Sequence, residues 1–329
     1  MTTVLAEVPL RSHETLRIEQ VLAPDPERSD ALQPFLGHKP ANYRAHIEAA
    51  LAGACGSLET RFTLGWIGET LVGNVMTVER GGFGILGHVF TDPDHRRKGI
   101  CQALFAALMP EFAARSGATL LLGTGYRSPA YFIYESFGFR DWEVGGRGLM
   151  RYDNPDRPEA IVQHFAPGPA TVTPLDWGHW PSVALLASLP TPLPLRHLGF
   201  PVWDTALLEG GFITLLIQTQ NDERTAAHVL ETRTGAVRAL ATLMPDERWQ
   251  NGPRRLDVLA HPETQTAELT YLLNGIAPRT ERLQAVVAPD NTALIGALEV
   301  LGFALEAPLL RQFVDREGTW QDVRVYGRG

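Results

Sequence analysis

The sequence predicts an α/β chain made of two successive units. Three observations predict it. The hydrophobic period changes along the chain between the alternation of strands and the fourfold recurrence of helices. A block in the order strand, proline turn, helix, strand, helix, Gly-Phe occurs twice, once from Phe83 to Phe139 and again from Arg255 to Phe303. Between the two blocks, Asn154–Pro174 is rich in Pro and Gly and lacks periodicity, as a linker does.

At 329 residues the chain suits two domains, with boundaries expected at residues 1–153 and 170–329. Apolar residues make up 44% and charged residues 20%, ordinary for a globular protein. The net charge of −8 falls mostly in the second half. Nucleic acids are therefore not expected as partners, because polyanion affinity comes from Lys and Arg displacing counterions. Any anion site must be local, and the sharpest cationic cluster is Arg96-Arg97-Lys98. Lys98 and Lys39 are the chain's only lysines. Cys55 and Cys101 form no CxxC, and no His stands at zinc-ligand spacing from them, so neither a disulfide nor a metal is expected. Met1–Thr15 has no apolar core of signal-peptide type. No apolar run approaches the roughly 20 residues of a membrane span. The expected location is the cytoplasm, without a membrane partner.

The elements read in order. Leu16–Val21 alternates as a strand. Pro24–Lys39 and Ala41–Ala52 read as helices, the second with Tyr43, Ile47, Ala50 and Leu51 on one face. Leu58–Glu69 and Thr70–Arg80 are strands, and Phe83–Phe90 a third that ends at Thr91-Asp92-Pro93. From Asp94 to Gly117 the pattern is helical, with Ile100, Leu104, Leu108 and Phe112 recurring every four residues. Pro110 is expected to kink or shorten this helix. Ala118–Leu122 is a buried strand, Pro129–Phe137 a helix stopped by Gly138, and Trp142–Met150 a closing strand. In the second half Pro190–Pro194 reads as a turn. Ala226–Thr232 and Ala236–Met244 read as a hairpin and Arg255–Ala260 as a strand. Thr266–Ala277, Leu283–Ala288 and Thr292–Leu301 then read as helix, strand and helix.

Chemistry concentrates where the strand at Val89-Phe90-Thr91 gives way to a helix through Arg96-Arg97-Lys98-Gly99-Ile100-Cys101-Gln102. The first amides of a helix have no partner within it and lie at the positive end of its dipole. Such a start binds phosphate or pyrophosphate. The other reading is a solvated basic helix start.

This segment resembles the pyrophosphate loop of the GNAT acyltransferase superfamily, Arg/Gln-x-x-Gly-x-Gly/Ala. Arg96 and Gly99 match, and Cys101 replaces the final small residue. The resemblance implies a mixed, mostly antiparallel sheet in each half, and acetyl-CoA as cosubstrate. It implies that amides from Arg97 to Gln102 hold the diphosphate, and that pantetheine runs along Val89, Phe90 and Thr91. A second block, Ala130 to Phe139, is similar to the family's A-x-x-x-Tyr-Glu-x-x-Gly-Phe pattern. It makes Tyr134 the acid that protonates the leaving thiolate. Packing of Tyr134 on the sheet is the alternative. The Asn usual seven residues earlier is Arg127 here. For the base, Glu79 and His88 are the candidates; otherwise Glu79 is a solvated hairpin end and His88 a satisfied strand histidine.

The second block of the chain lacks these features. Gln265–Glu268 stands in place of Arg96–Gly99, Leu298 in place of Tyr134 and Asn291 in place of Arg127. This half is expected to be a degenerate copy. Gly82-Phe83-Gly84-Ile85-Leu86-Gly87 fits G-x-G-x-x-G, but in β-patterned sequence it reads as hairpin and strand and not as a dinucleotide site. The expected reaction is direct acetyl transfer from acetyl-CoA to a small-molecule or peptide amine by a monomer or homodimer. A non-catalytic acyl-CoA sensor is the alternative. The acidic second half favours a cationic acceptor.

Overall fold

The computed structural model describes residues 2–142, 148–189, 210–246, 252–278, 280–314 and 319–329. The chain divides into two compact units. One comprises Met1–Gln163, Trp180–Ala184 and Leu208–Ile213; the other comprises His164–His179, Leu185–Leu207 and Thr214–Gly329.

The first unit begins with β1 (Thr2–Pro9), β2 (Thr15–Leu22), α1 (Pro26–Leu36) and α2 (Ala41–Leu51). Strands β3 (Glu59–Ile67), β4 (Thr70–Arg80) and β5 (Phe83–Thr91) follow. Then come α3 (Ile100–Ala114), β6 (Thr119–Gly123), α4 (Pro129–Ser136), β7 (Arg140–Asp141), β8 (Leu149–Asp153) and α5 (Ala160–His164). Its sheet runs β1-β2-β3-β4-β5-β6-β8-β7, and only the β5–β6 pair is parallel. Local chemistry sets the helix starts. Asp25 accepts from the Arg28 amide at 3.2 Å with Pro26 in the first turn, and Ser128 accepts from the Tyr131 amide at 3.2 Å with Pro129 following.

Helix α3 presents Ile100, Leu104, Leu108 and Phe112, the expected face, together with Phe105. All five are buried against β-sheet residues that include Leu16, Val72, Val75 and Leu120. Burying each such side chain stabilises by about 1.5–3 kcal/mol, so packing rather than helix propensity fixes where α3 lies. Close seating requires Gly73, where a Cβ would come within 2.7 Å of Ile100 Cγ2 and 3.1 Å of Leu104 Cδ1.

The second unit contains β9 (Ala170–Pro174), β10 (Ala226–Thr232), β11 (Val237–Pro245), β12 (Arg254–Ala260), α8 (Thr266–Ile276), β13 (Leu283–Val287), α9 (Thr292–Val300), β14 (Ala304–Val314) and β15 (Trp320–Arg328). Helices α6 (Trp180–Ser188) and α7 (Gly210–Asn221) lie between β9 and β10 in the chain. The sheet order is β9-β10-β11-β12-β13-β15-β14, with β12–β13 the parallel pair. Helices α8 and α9 bury Leu269, Leu272, Leu273, Leu294, Ala297 and Leu298 in its core. Both sheets are thus mixed and mostly antiparallel, flanked by helices.

Several expectations need correction. The helix expected from Asp94 begins at Ile100, because Pro93–His95 form one 3₁₀ turn and Gly99 adopts φ +93°. Pro110 lies inside α3, which ends at Ala114, three residues before the expected Gly117. The expected linker holds α5 and β9, and β9 pairs with β10 from Ala170 to Pro174. Within the expected strand Trp142–Met150, residues 143–147 lie outside the described residues, and β8 starts at Leu149. The Pro190–Pro194 turn also lies outside them. Strands β1, β14 and β15 and helices α6 and α7 had no counterpart in the sequence reading. The G-x-G-x-x-G segment, by contrast, is hairpin and strand as expected: it enters β5 and opens no helix.

Ile100 is β-branched and stiff, so Gly73→Ala overpacks the seat of α3. It should lower stability by about 1–3 kcal/mol, read as a drop in urea midpoint at unchanged m-value. An unchanged midpoint would show that the helix seat is soft.

Candidate active site

Strands β5 and β6 part early. Their parallel pairing covers only Phe83↔Thr119, Gly84↔Leu120 and Ile85↔Leu121. Beyond it lies a cavity of about 260 Å³, bordered by Leu86, Gly87, His88 and Val89 of β5 and by Leu122 and Gly123 of β6. Tyr134 of α4 lines it, as do Lys39, Pro40 and Tyr43 from the α1–α2 connection and the start of α2.

A β-bulge shapes the β5 side. Gly87 pairs with Met76 and Phe90 with Asn74, so His88 and Val89 both stand opposite Val75. Asn74 Nδ2 donates to the His88 carbonyl at 3.0 Å. His88 adopts φ +49°, a left-handed conformation uncommon outside glycine. Bulges re-aim side chains next to active sites, and here the bulged His88 borders the cavity. Its ring meets Tyr43 edge-on at 5.1 Å. Its Nε2 is buried without a hydrogen-bond partner among the described residues. Burial, assisted by the positive charge of Lys39, pushes its pKa down to about 3. His46 of α2 lies nearby, with ring centroids 6.5 Å apart, and burial likewise lowers it to about 3.

Tyr134 is buried, its ring 5.3 Å from Phe105 and 6.3 Å from Phe139. These contacts fix the ring while one side meets the cavity, so packing and lining hold together.

The helix start is open. Gly99 caps α3 with no side-chain cap, and a Cβ there would meet nothing within 4 Å. Glycine is needed for its φ of +93° rather than for room. The first amide with a partner is that of Ala103, which donates to the Gly99 carbonyl at 3.0 Å. Among the described residues, the amides from Arg97 to Gln102 have no recorded acceptor. The cations around them differ. Arg96 Nε donates to the Thr91 carbonyl at 3.2 Å, and Lys98 Nζ pairs with Glu14 at 2.8 Å. That bond to Lys98 is the main reason the Glu14 carboxyl lies below its usual range. Arg97 is exposed, with φ +62°. Cys101 is half-buried, and burial pushes its thiol up to about 11, so it is a small filler rather than a nucleophile. A diphosphate tail fits this start: orphaned amides face open space beside positive charge.

Other expected residues lie apart. Glu79 does not border the cavity. It sits at the closed end of the β4–β5 hairpin opposite Gly84. Arg115 Nη2 grips it at 2.8 and 3.1 Å, and Thr77 Oγ1 donates to it at 2.5 Å. A carboxylate so engaged and so placed cannot be the base. Arg127 is exposed, its guanidinium 5.6 Å from the Tyr126 ring, and it is not part of the cavity wall. The sequence reading missed Lys39, Pro40 and Tyr43 as cavity residues. Tyr43 shares a helical face with Ile47, Ala50 and Leu51, which does not set it apart as a site residue. Only the scarcity of lysine marked Lys39.

In the second unit the corresponding helix start is filled. The Gln265 amide donates to Glu268 Oε2 at 2.9 Å, and the fully buried Arg238 donates through Nε to Glu268 Oε1 at 3.1 Å. Asn291 caps α9 by accepting from the Leu294 amide, and Leu298 is core. Among the described residues, no group of three or more His, Cys, Asp or Glu gathers to hold a metal. No described helix is long and apolar enough to cross a membrane.

Comparison with known proteins places this arrangement. The acetyltransferase (GNAT) domain matches residues 60–141, from the start of β3 through β7. The match covers 82 of the 329 residues, all of them in the first unit. Solved structures similar to it include ribosomal-protein-S5-alanine acetyltransferase from Vibrio fischeri, at 13% identity and TM-score 0.37, covering 49% of this chain and 96% of that one. Ribosomal L7/L12 α-N-protein acetyltransferase in complex with coenzyme A is 16% identical at TM-score 0.38, covering 48% and 92%. Dodecameric spermidine N-acetyltransferase from Vibrio cholerae is 17% identical at TM-score 0.34, also covering 48% and 92%. No curated protein matches the chain by sequence.

The two neutral imidazoles carry a pH signature. Between about pH 3 and their ordinary value, the unfolded chain binds protons that the folded protein refuses. Stability therefore rises with pH across that window and is lost on acidification. The urea midpoint should fall from about pH 6.5 to about pH 4.5, by on the order of 1 kcal/mol per pH unit for each imidazole. His46→Gln should remove its share of the slope. A midpoint flat through this range would refute the buried neutral assignment.

Proposed function

We propose that the N-terminal unit transfers an acetyl group from acetyl-CoA to a primary amine by direct attack within a ternary complex. The observation that carries this reading is the cavity at the parting of β5 and β6, with Tyr134 in its wall. The unpaired amides at the start of α3 support it. In this reading the amides from Arg97 to Gln102 hold the diphosphate, and Arg97 adds charge that no described partner uses. The free side of Val89, Phe90 and Thr91 aligns the pantetheine arm as a further strand would.

The amine nitrogen forms its bond to the thioester carbonyl carbon, and the carbon–sulfur bond breaks. The Tyr134 phenol gives its proton to the departing sulfur and regains one from solvent. His88 orients the nucleophile: its neutral ring accepts an N–H of the amine. An imidazole with a pKa of about 3 is a poor proton sink at neutral pH, so the amine proton leaves to water. Holding both reactants in attack geometry supplies much of the acceleration.

The C-terminal unit is read as a degenerate copy of the first. Its seven strands follow the order of β2 to β8 in the first sheet, with β1 alone lacking a counterpart, which supports this, and Glu268 and Leu298 stand where a diphosphate and an acid would be needed. One acetyl-CoA then binds per chain.

Thiol release from acetyl-CoA against a panel of amines tests the reading. Tyr134→Phe should lower kcat by roughly 100-fold or more, with acetyl-CoA affinity nearly unchanged by calorimetry. Full turnover in that variant removes Tyr134 from the chemistry. Tight binding without turnover of any acceptor makes the protein an acyl-CoA sensor. Absence of acetyl-CoA binding sinks both readings.

A further inference from the structure

The helix start read as the diphosphate holder also borders a second cavity. This one measures about 360 Å³ and lies between the β1–β2 hairpin and the first turns of α3, with Lys98, Gly99 and Gln102 in its lining. Small-molecule sites run from roughly 300 to 1,000 Å³. Its walls are apolar and built of small side chains. Helix α3 offers Ala103, Ala106 and Ala107, and β1 offers Ala6 and Val8. None of these five is buried, so apolar surface is left uncovered on both sides of the groove. The β1–β2 turn is fastened beside it. The Leu10 amide donates to the Glu14 carbonyl at 2.8 Å, and the Glu14 carboxylate receives Ser12 Oγ at 2.6 Å and Lys98 Nζ at 2.8 Å. Glu14 thereby balances Lys98. Arg11 of the same turn is exposed and lines the cavity as well. None of the described residues lining it is His, Tyr, Cys, Asp or Glu, so this cavity is equipped to bind and not to react.

Resting on the acetyl-CoA reading, we infer that this cavity takes the nucleotide end of the cosubstrate. Adenine lies between the α3 alanines and β1 with its polar edge at Gln102, and the 3′-phosphate of the ribose meets Arg11. A diphosphate held at the start of α3 has two ends. The thioester arm leaves along β5 toward Tyr134, so the nucleotide has to leave over another surface, and this groove shares Lys98 and Gly99 with the diphosphate site. A purine is flat, with apolar faces and a polar edge. Small side chains let both of its faces come into contact, where larger ones would fill the space. The Gln102 side chain both donates and accepts, the pattern that pairs with the N6 and N7 edge of adenine. A guanidinium binds a phosphate through two parallel hydrogen bonds. An acyl chain would use the walls but leave Gln102 and Arg11 idle, and a free phosphate would leave the walls uncovered. The nucleotide uses all three.

Two measurements on the full-length protein test this. In the first, alanine-methyl-labelled protein is saturated with coenzyme A and examined by NMR. The adenine protons should show NOEs to the methyl groups of Ala103, Ala106 and Ala107. In the second, calorimetry compares coenzyme A with 3′-dephospho-coenzyme A. The wild type should bind coenzyme A at least about tenfold more tightly. Arg11→Ala should abolish most of that difference by weakening coenzyme A alone. Ala106→Phe, at an exposed helix position, fills the groove and should weaken both ligands by about tenfold or more with the urea midpoint unchanged. Bound coenzyme A whose adenine contacts none of the three methyls, or an Ala106→Phe variant with wild-type affinity, overturns the inference while cosubstrate binding itself stands. Equal affinity of the wild type for the two ligands, or equal weakening of both by Arg11→Ala, overturns the placement of the phosphate at Arg11. A wild type that binds neither coenzyme A nor acetyl-CoA fails the cosubstrate reading itself, a result distinct from all of these.

Discussion

The N-terminal unit depends on a hydrogen-bonding pattern that stops short. Parallel pairing between β5 and β6 ends after three residue pairs, and the backbone beyond has to be satisfied some other way. On one side of the gap, β5 stays anchored to β4 through a bulge that Asn74 ties down. On the other, α4 closes over with Tyr134. The gap is therefore walled mostly by strands and helices, and the α1–α2 connection adds Lys39 and Pro40. At its end the chain turns through Asp92 to Gly99 into a helix that begins with no cap of its own. An open edge and an uncapped helix each cost stability, and together they form one continuous polar track. That track is the part of the fold that chemistry can use.

The second unit is instructive because its seven strands follow the order of β2 to β8 and it too has one short parallel pair, here Arg254–Arg255 with Leu283–Gln284. What differs is the helix start. Glu268 reaches back to the Gln265 amide and is itself held by Arg238, whose guanidinium also donates to the carbonyls of Phe165 and Glu263. A buried arginine needs all its donors matched, and this one obtains them by occupying the space before α8. The same topology thus supports an open entrance in one unit and a filled one in the other, and the difference comes down to a few side chains.

How legible this was in the sequence depended on locality. Helix α3 was readable because four apolar residues recur at helical spacing and all four are buried. The loop before it was readable because a cationic run followed by glycine has few structural uses. Strand β1 was not, since none of its residues is buried and they alternate weakly. Its place is set by pairing with β2, a tertiary fact. Glu79 misled for a related reason. A lone acid at a strand end looks free until Arg115, thirty-six positions away, folds onto it. Tyr43 and Lys39 reach the cavity only because α1 and α2 lie over β5, and no local pattern encodes that. His88 was named from its type alone; the bulge that turns it inward is invisible in an alternating strand.

The uncapped start of α3 also bears on how long the protein survives. A ligand that docks against those amides binds only the folded unit, so by mass action it adds RT ln(1 + [L]/Kd) to that unit's stability. The C-terminal unit, with its entrance already filled by Glu268, draws no such benefit. Two halves of a single polypeptide therefore answer differently to the same metabolite. Withdrawing such a ligand would lower the stability of the N-terminal unit and leave that of the other unchanged.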